Sequence, residues 1–144
     1  MLKMVPPALT PELLWLLAAM GHGDRLALVN ANYPAYARHA RVAALPGVSL
    51  VAAAEAILQL MPVDDLDDAP AYRMVPDGKP DEVLAVHRDL QRVLDASERR
   101  PVGMKALERA AFFDLAATSF AAVLTTDNRP YGCFVIAKGV VRAA

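Results

Sequence analysis

Residues 10–30 read TPELLWLLAAMGHGDRLALVN. Thr10 followed by Pro11 has the form of a helix start, a capping hydroxyl and then a proline in the first turn. Leu13, Leu14, Leu17 and Met20 recur at helical spacing, and Gly21 stands where a helix would end. A short polar loop, His22-Gly23-Asp24, leads into Arg25–Asn30, an apolar run of strand character. A helix, a tight loop and a buried strand within twenty-one residues is the repeating unit of a layered α/β protein.

The rest of the chain repeats that alternation. Residues 30–38, with Pro34 among asparagine and tyrosine, read as a loop, and a brief strand follows at 42–44. Ser49–Leu60 is a predicted helix with Leu50, Ala53, Ala54, Ile57 and Leu58 on one face. Met61–Val63 reads as a short strand before an acidic turn at 64–68. Tyr72–Val75 is a strand stopped by Pro76-Asp77-Gly78. Asp81–Glu98 is the clearest amphipathic segment, with an apolar stripe of Val83, Val86, Leu90, Val93 and Leu94. Beyond Pro101 come a strand at Met104, a helix from about Leu107 to Thr118, and strands at 120–125 and 133–137, the last two separated by the turn Asp127-Asn128-Arg129-Pro130. The expectation is a single α/β/α domain over residues 1–144 with a mainly parallel sheet.

Composition excludes several classes of function. Fifteen basic and sixteen acidic side chains nearly cancel, so there is no electrostatic footprint for nucleic acid. Glu12, Glu55 and Asp114 interrupt the apolar runs before any reaches bilayer length. Leu13–Met20 is too short for a secretion signal and lacks a cleavage site, so the expected location is cytoplasmic. Cys133 is the only cysteine, which rules out an intrachain disulfide and a thiolate-rich zinc site. A mean hydropathy of +0.28 points to apolar surface available for self-assembly.

Among residues that carry chemistry, His22 lies between two glycines, which permit a tight loop and leave the imidazole little cover. Such a ring can face a cleft and titrate near neutrality. The tetrapeptide by itself equally suits a loop histidine that bonds locally. Taken with the rest of the chain, it resembles the L-fucose mutarotase and D-ribose pyranase family. The likeness rests on the opening Met1-Leu2-Lys3, on LTPELLWLLAAMGHGD, on the proline loop NANYPAY, and on the stretch from Leu107-Glu108-Arg109 through Tyr131-Gly132 to Lys138-Gly139-Val140. Residues 62–101 match much less closely.

The resemblance implies interconversion of the α and β anomers of a monosaccharide. One proton leaves the anomeric hydroxyl and another reaches the ring oxygen; the open-chain carbonyl rotates and recloses on its other face. An acid and a base suffice, without metal or cofactor, and such catalysis is typically worth about 10²–10⁴-fold. By resemblance His22 is the proton donor, and Asn30, Arg109, Tyr131, Gly132 and Cys133 are substrate-binding; Asp24, read from its place in the loop, supports His22 by orienting it or caps the strand entry. Asn30 stands where the family commonly has aspartate, Cys133 where it has asparagine, and Leu66 where tyrosine often follows the acidic turn. These changes lower the polarity of the sugar contacts and leave the histidine chemistry intact. Members form pentamers or decamers with pockets between subunits, so the resemblance also implies a homo-oligomer. A pyranose–furanose interconversion and a non-catalytic sugar-binding role in transport stand as alternatives.

The remaining candidates have plainer readings. Read without the resemblance, Arg109 is a surface ion pair with Glu108 or Asp114. Tyr33, Tyr36 and Tyr72 are half-buried packing, His39 is an exposed loop residue, and His87 is solvated on the polar face of its helix. Asp64, Asp65, Asp67 and Asp68 lack the glycine and distal glutamate of a calcium loop and read as a solvated turn. Trp15 is assigned to the core or to a subunit contact.

Overall fold

The computed structural model describes residues 1–144. Five helices and six strands alternate along the chain: α1 (Pro11–Ala19), β1 (Arg25–Val29), α2 (Ala35–Arg38), β2 (Val42–Leu45), α3 (Leu50–Leu58), β3 (Ala71–Val75), α4 (Ala85–Glu98), β4 (Met104–Glu108), α5 (Arg109–Ala116), β5 (Ala121–Thr125) and β6 (Cys133–Ala137). The strands form one sheet in the order β2-β5-β1-β6-β3-β4. Strand β6 alone runs against its neighbours, β1 and β3; every other pairing is parallel. No helix is long and apolar enough to cross a membrane.

Strand alternation splits the apolar side chains into two cores. Leu26, Leu28, Phe134 and Ile136 point to the side covered by α1, α3 and α4, where they meet Leu13, Leu17, Leu50, Ile57, Leu90 and Leu94. Ala27, Val29, Cys133 and Val135 point to the other side, where Phe112 and Ala116 of α5 and Ala35 of α2 cover them. This is the α/β/α layering that the helix–strand alternation predicts.

Local signals explain the starts of α1 and α3. The Thr10 hydroxyl accepts the Leu13 N–H at 3.3 Å, and Ser49 does the same for Ala52 at 3.1 Å. Elsewhere the boundaries move. The loop at 30–38 contains the short helix α2. Met61–Val63 is no strand; Val63 makes a single bridge to Lys138. Helix α4 starts at Ala85 rather than at Asp81, which leaves Val83 outside the helix and 46% exposed. Trp15 projects from α1 and is 60% exposed, so it belongs to no core.

Candidate functional site

The antiparallel strand organises both ends of the sheet. In register, Arg25 faces Ala137 and Val29 faces Cys133. Residues before β1 therefore meet residues after β6, and residues after β1 meet residues before β6.

At the first edge lies the Gly21–Asp24 loop. Gly23 has φ +83°, a conformation that glycine adopts without penalty, and its N–H donates to the Lys138 carbonyl at 2.8 Å. The Asp24 carboxylate closes the loop by accepting the Gly21 N–H at 2.7 Å. The Lys138 ammonium donates to the carbonyls of Leu17 and Met20 at 2.8 and 2.6 Å, satisfying the open end of α1. Gly139 lets a second segment approach: its N–H donates to the Pro62 carbonyl at 2.8 Å, and a Cβ there would stand 2.6 Å from the Val63 carbonyl oxygen. The Asp64 N–H donates to Ala137 at 3.0 Å. The Lys-Gly pair thus joins the histidine loop to the acidic turn.

That junction brings His22 Nε2 to 3.1 Å from Asp64 Oδ1. A carboxylate accepts only, so Nε2 carries the proton and donates it to Asp64. Nδ1 has no partner in the chain, and the His22 side chain is 41% exposed. Asp64 is itself buried, contrary to the reading of 64–68 as a solvated turn; its bridge-paired neighbour Val63 draws it inward. Burial pushes its carboxyl up, but the Leu66 N–H and the His22 ring outweigh that and hold it below the ordinary value. The result is an accessible imidazole backed by an ionised carboxylate.

At the other edge, the carboxyl ends of the parallel strands gather Asn30, after β1, and Arg109, after β4, beside Tyr131, Gly132 and Cys133 at the start of β6. Ligands of parallel sheets commonly bind at this end. Tyr131 has φ +59°, left-handed backbone that a side chain rarely adopts. Two side chains hold its turn: Asn30 Nδ2 donates to the Arg129 carbonyl at 3.0 Å, and His87 Nε2 donates to the Tyr131 carbonyl at 3.1 Å. Arg129 is in turn paired with Asp127 and Asp89 at 3.0 and 2.8 Å. At Gly132 a Cβ would meet Leu50 Cδ1 at 2.5 Å and the Arg129 carbonyl oxygen at 3.1 Å, so a larger residue requires the buried Leu50 side chain to shift. Asn30 is buried, with its oxygen accepting the Asn32 N–H, and both its polar atoms are engaged within the turn. The Cys133 thiol lies in the α5-side core, where burial pushes its pKa up to about 11 against the pull of a hydrogen bond from the Asn30 backbone. Arg109 is exposed and forms no ion pair with Glu108 or Asp114; its guanidinium lies 5.5 Å from the Phe113 ring centre.

Two histidine readings change. His87 is 1% exposed rather than solvated, because it is the third residue of α4 and its Nδ1 accepts the Leu84 N–H at 3.0 Å. His39 is half-buried, and its Nε2 pairs with the Tyr33 hydroxyl at 2.8 Å. Tyr33 stacks on Phe113, and burial raises its phenol to about 12. Asp64 and His87 are the residues that sequence reasoning missed. A histidine three positions into a helix could have been read as a cap acceptor; nothing local marks Asp64.

The two edges do not meet within one copy. From Tyr131 to Lys138 the extended chain covers about 23 Å at the rise of a β-strand. His22 and Asp64 sit at one end of that span, and the Tyr131 turn and Arg109 at the other.

This layered α/β fold has solved counterparts. The sequence pattern of the RbsD / FucU transport protein family matches residues 3–141. The chain is 37% identical over 142 residues to the L-fucose mutarotase of Actinobacillus pleuropneumoniae serotype 5b, covering 97% of each. The structure of the fucose mutarotase of Streptococcus pneumoniae in complex with L-fucose superposes with a TM-score of 0.89 at 29% identity, covering 98% of this chain and all of that one (100%). FucU of Bifidobacterium longum superposes at 0.90 with 28% identity, covering 97% and 100%. The chain belongs to the RbsD / FucU family.

Proposed function

We propose that this chain is a cytoplasmic monosaccharide mutarotase that interconverts the α and β anomers of L-fucose or a similar sugar. The observation that carries the reading is the His22–Asp64 pair, with Nε2 tied back to the carboxylate and Nδ1 open. Nδ1 takes the proton of the anomeric hydroxyl, and Asp64 stabilises the imidazolium that forms, as a carboxylate does for any histidine base. The C1–O5 bond breaks, the ring oxygen takes a proton from the imidazolium, and the open-chain aldehyde rotates. The reverse steps close the ring on the other face and return the proton. The curated relatives named L-fucose mutarotase support the assignment of the sugar.

The pocket is completed by a second copy. His22 from one subunit meets Arg109 and the Tyr131–Gly132 turn from another, because one copy holds them about 20 Å apart. Such a contact joins one edge to a different edge, which generates closed rings when the rotation closes. A pentamer or a pair of stacked pentamers is the assembly this reading takes. Exposed Trp15, Leu66 and Met4 are apolar surface available for it.

Magnetization-exchange NMR on L-fucose tests the chemistry. The wild type should exchange the anomeric signals faster than buffer, and His22→Ala should return the rate to the buffer value. Mixing dissociated His22→Ala and Arg109→Ala chains before reassembly should restore part of the rate, because some pockets then receive both intact edges. A His22→Ala protein that exchanges like the wild type defeats the mechanism; mixtures that stay inactive defeat the shared pocket.

A further inference from the structure

We infer that His87 is a positioning residue for the sugar-holding turn, acting only as a neutral ring. The inference rests on the reading that the Tyr131–Gly132 edge holds the sugar. Both ring nitrogens are committed to opposite tasks. Nδ1 accepts the Leu84 N–H at 3.0 Å, so it carries no proton; Nε2 donates to the Tyr131 carbonyl at 3.1 Å. One side chain therefore ties the first turn of α4 to the residue whose backbone is left-handed at φ +59°. Phe134 packs against the ring at a centroid distance of 5.9 Å, nearly perpendicular, and fixes its plane.

The turn needs this hold. A left-handed tyrosine is unfavourable by itself and persists only where its surroundings determine it. Gly132 cannot relax toward α3, since Leu50 fills the space where a Cβ would stand, and Val86 of α4 lies 3.4 Å from that same point. Asn30 grips the Arg129 carbonyl on one side of the turn. His87 grips the Tyr131 carbonyl on the other and is the only side chain that bonds to that residue's backbone. Without the donor, the Tyr131 carbonyl loses its partner and Tyr131 is free to leave the left-handed region, which moves its phenol relative to Arg109. His22 acts from the opposite edge, so the loss falls on sugar binding and leaves proton transfer alone.

Two nearly isosteric variants differ in that donor and in the charge that comes with its loss. In His87→Gln the amide oxygen can accept the Leu84 N–H while the amide nitrogen donates to Tyr131. In His87→Glu the carboxylate accepts the same N–H, as in a capping box, but turns an oxygen toward the Tyr131 carbonyl. Exchange kinetics on L-fucose at pH 8 should show KM raised about tenfold in His87→Glu and within twofold of wild type in His87→Gln, with kcat within threefold in both. If His87→Glu does not fold, His87→Phe, which keeps the ring and drops both bonds, is measured in its place with the same expected rise. Tyr131→Phe and Arg109→Ala run alongside. If they raise KM and the donor-less His87 variant does not, the positioning role is wrong and the site stands. If they too leave KM unchanged, the sugar is not held at this edge and the inference falls with that reading.

Discussion

Replacing Asp64 by asparagine isolates what its charge does for His22. The substitution keeps the shape of the side chain and an oxygen for the Leu66 N–H, which Oδ1 now accepts at 3.2 Å. It removes a negative charge 3.1 Å from Nε2. At that distance two unit charges interact by about 5 kcal/mol at an effective dielectric of 20 and about 1.3 kcal/mol in bulk water. His22 is 41% exposed and Asp64 11%, so the value belongs near the watery end, about 1.5–2 kcal/mol. In the proposed mechanism the charge acts on the imidazolium that forms as His22 takes the sugar's proton. The whole difference therefore enters the barrier, a roughly 10- to 30-fold loss in kcat with KM unchanged. Anomeric exchange of L-fucose should be followed in low-concentration buffer, because buffer acids and bases catalyse the same reaction. An Asp64→Asn protein that exchanges within twofold of wild type, with an unchanged melting temperature, would show that the carboxylate is only a structural acceptor for the loop.

Two further outcomes follow from the same contacts. Gly139→Ala puts a Cβ 2.6 Å from the Val63 carbonyl oxygen and 3.0 Å from the Asp64 Cα, so the 62–64 segment must shift away from residue 139 and carry Asp64 out of its present geometry with His22. Overpacking of this kind costs about 1–3 kcal/mol, and both the melting temperature and the exchange rate should fall; a fully active variant would show that the close approach is dispensable. The second concerns pH. Burial, with the charges of Arg73 and Arg88, lowers the His87 pKa below its ordinary 6.5, and the Tyr131 carbonyl opposes this only in part. Between the lowered value and about 6.5 the unfolded chain binds the proton and the folded chain does not, so stability rises with pH in that window and is lost as pH falls through it. The melting temperature of wild type should therefore drop more between pH 8 and pH 5 than that of His87→Gln. His39, also lowered by burial and by Arg38, leaves a residual slope of the same sign in both proteins. Identical slopes would mean that His87 is not held neutral.

What the sequence made legible follows the range of each interaction. Thr10, Pro11 and the leucines of α1 act within a turn or two of one another, and the helix they predict is present with its cap. The alternation of helices and strands was enough to predict layering, because every amphipathic face needs a partner. Asp64 was not legible. Among four aspartates in five residues it alone turns inward, and the cause is the Val63–Lys138 bridge, made with a residue far along the chain. His87 was misread for a local reason. Asp81 looked like the start of α4, which placed His87 inside the helix on a polar face, whereas the helix begins at Ala85 and uses the ring itself as the cap acceptor. The reversal of β6 left no mark in its apolar residues, since a strand buried on both faces reads alike in either direction.

That reversal is what separates the two halves of the proposed site. A parallel strand in the place of β6 would have brought Tyr131-Gly132 to the same edge as the His22 loop. Because β6 runs against β1, its first residues join the carboxyl ends of the other strands and its last residues, Lys138-Gly139, join the histidine loop. Both ends carry a glycine at a close approach, Gly132 against the Leu50 side chain and Gly139 against the Val63 backbone. Between them the strand is bonded to β1 on one side and to β3 on the other. The distance between the His22–Asp64 pair and the Tyr131–Gly132 turn is thus set by a rod that neither loop can shorten. In the proposed pocket, catalysis requires a contact between copies, since no motion of either loop within one copy closes a gap of about 20 Å.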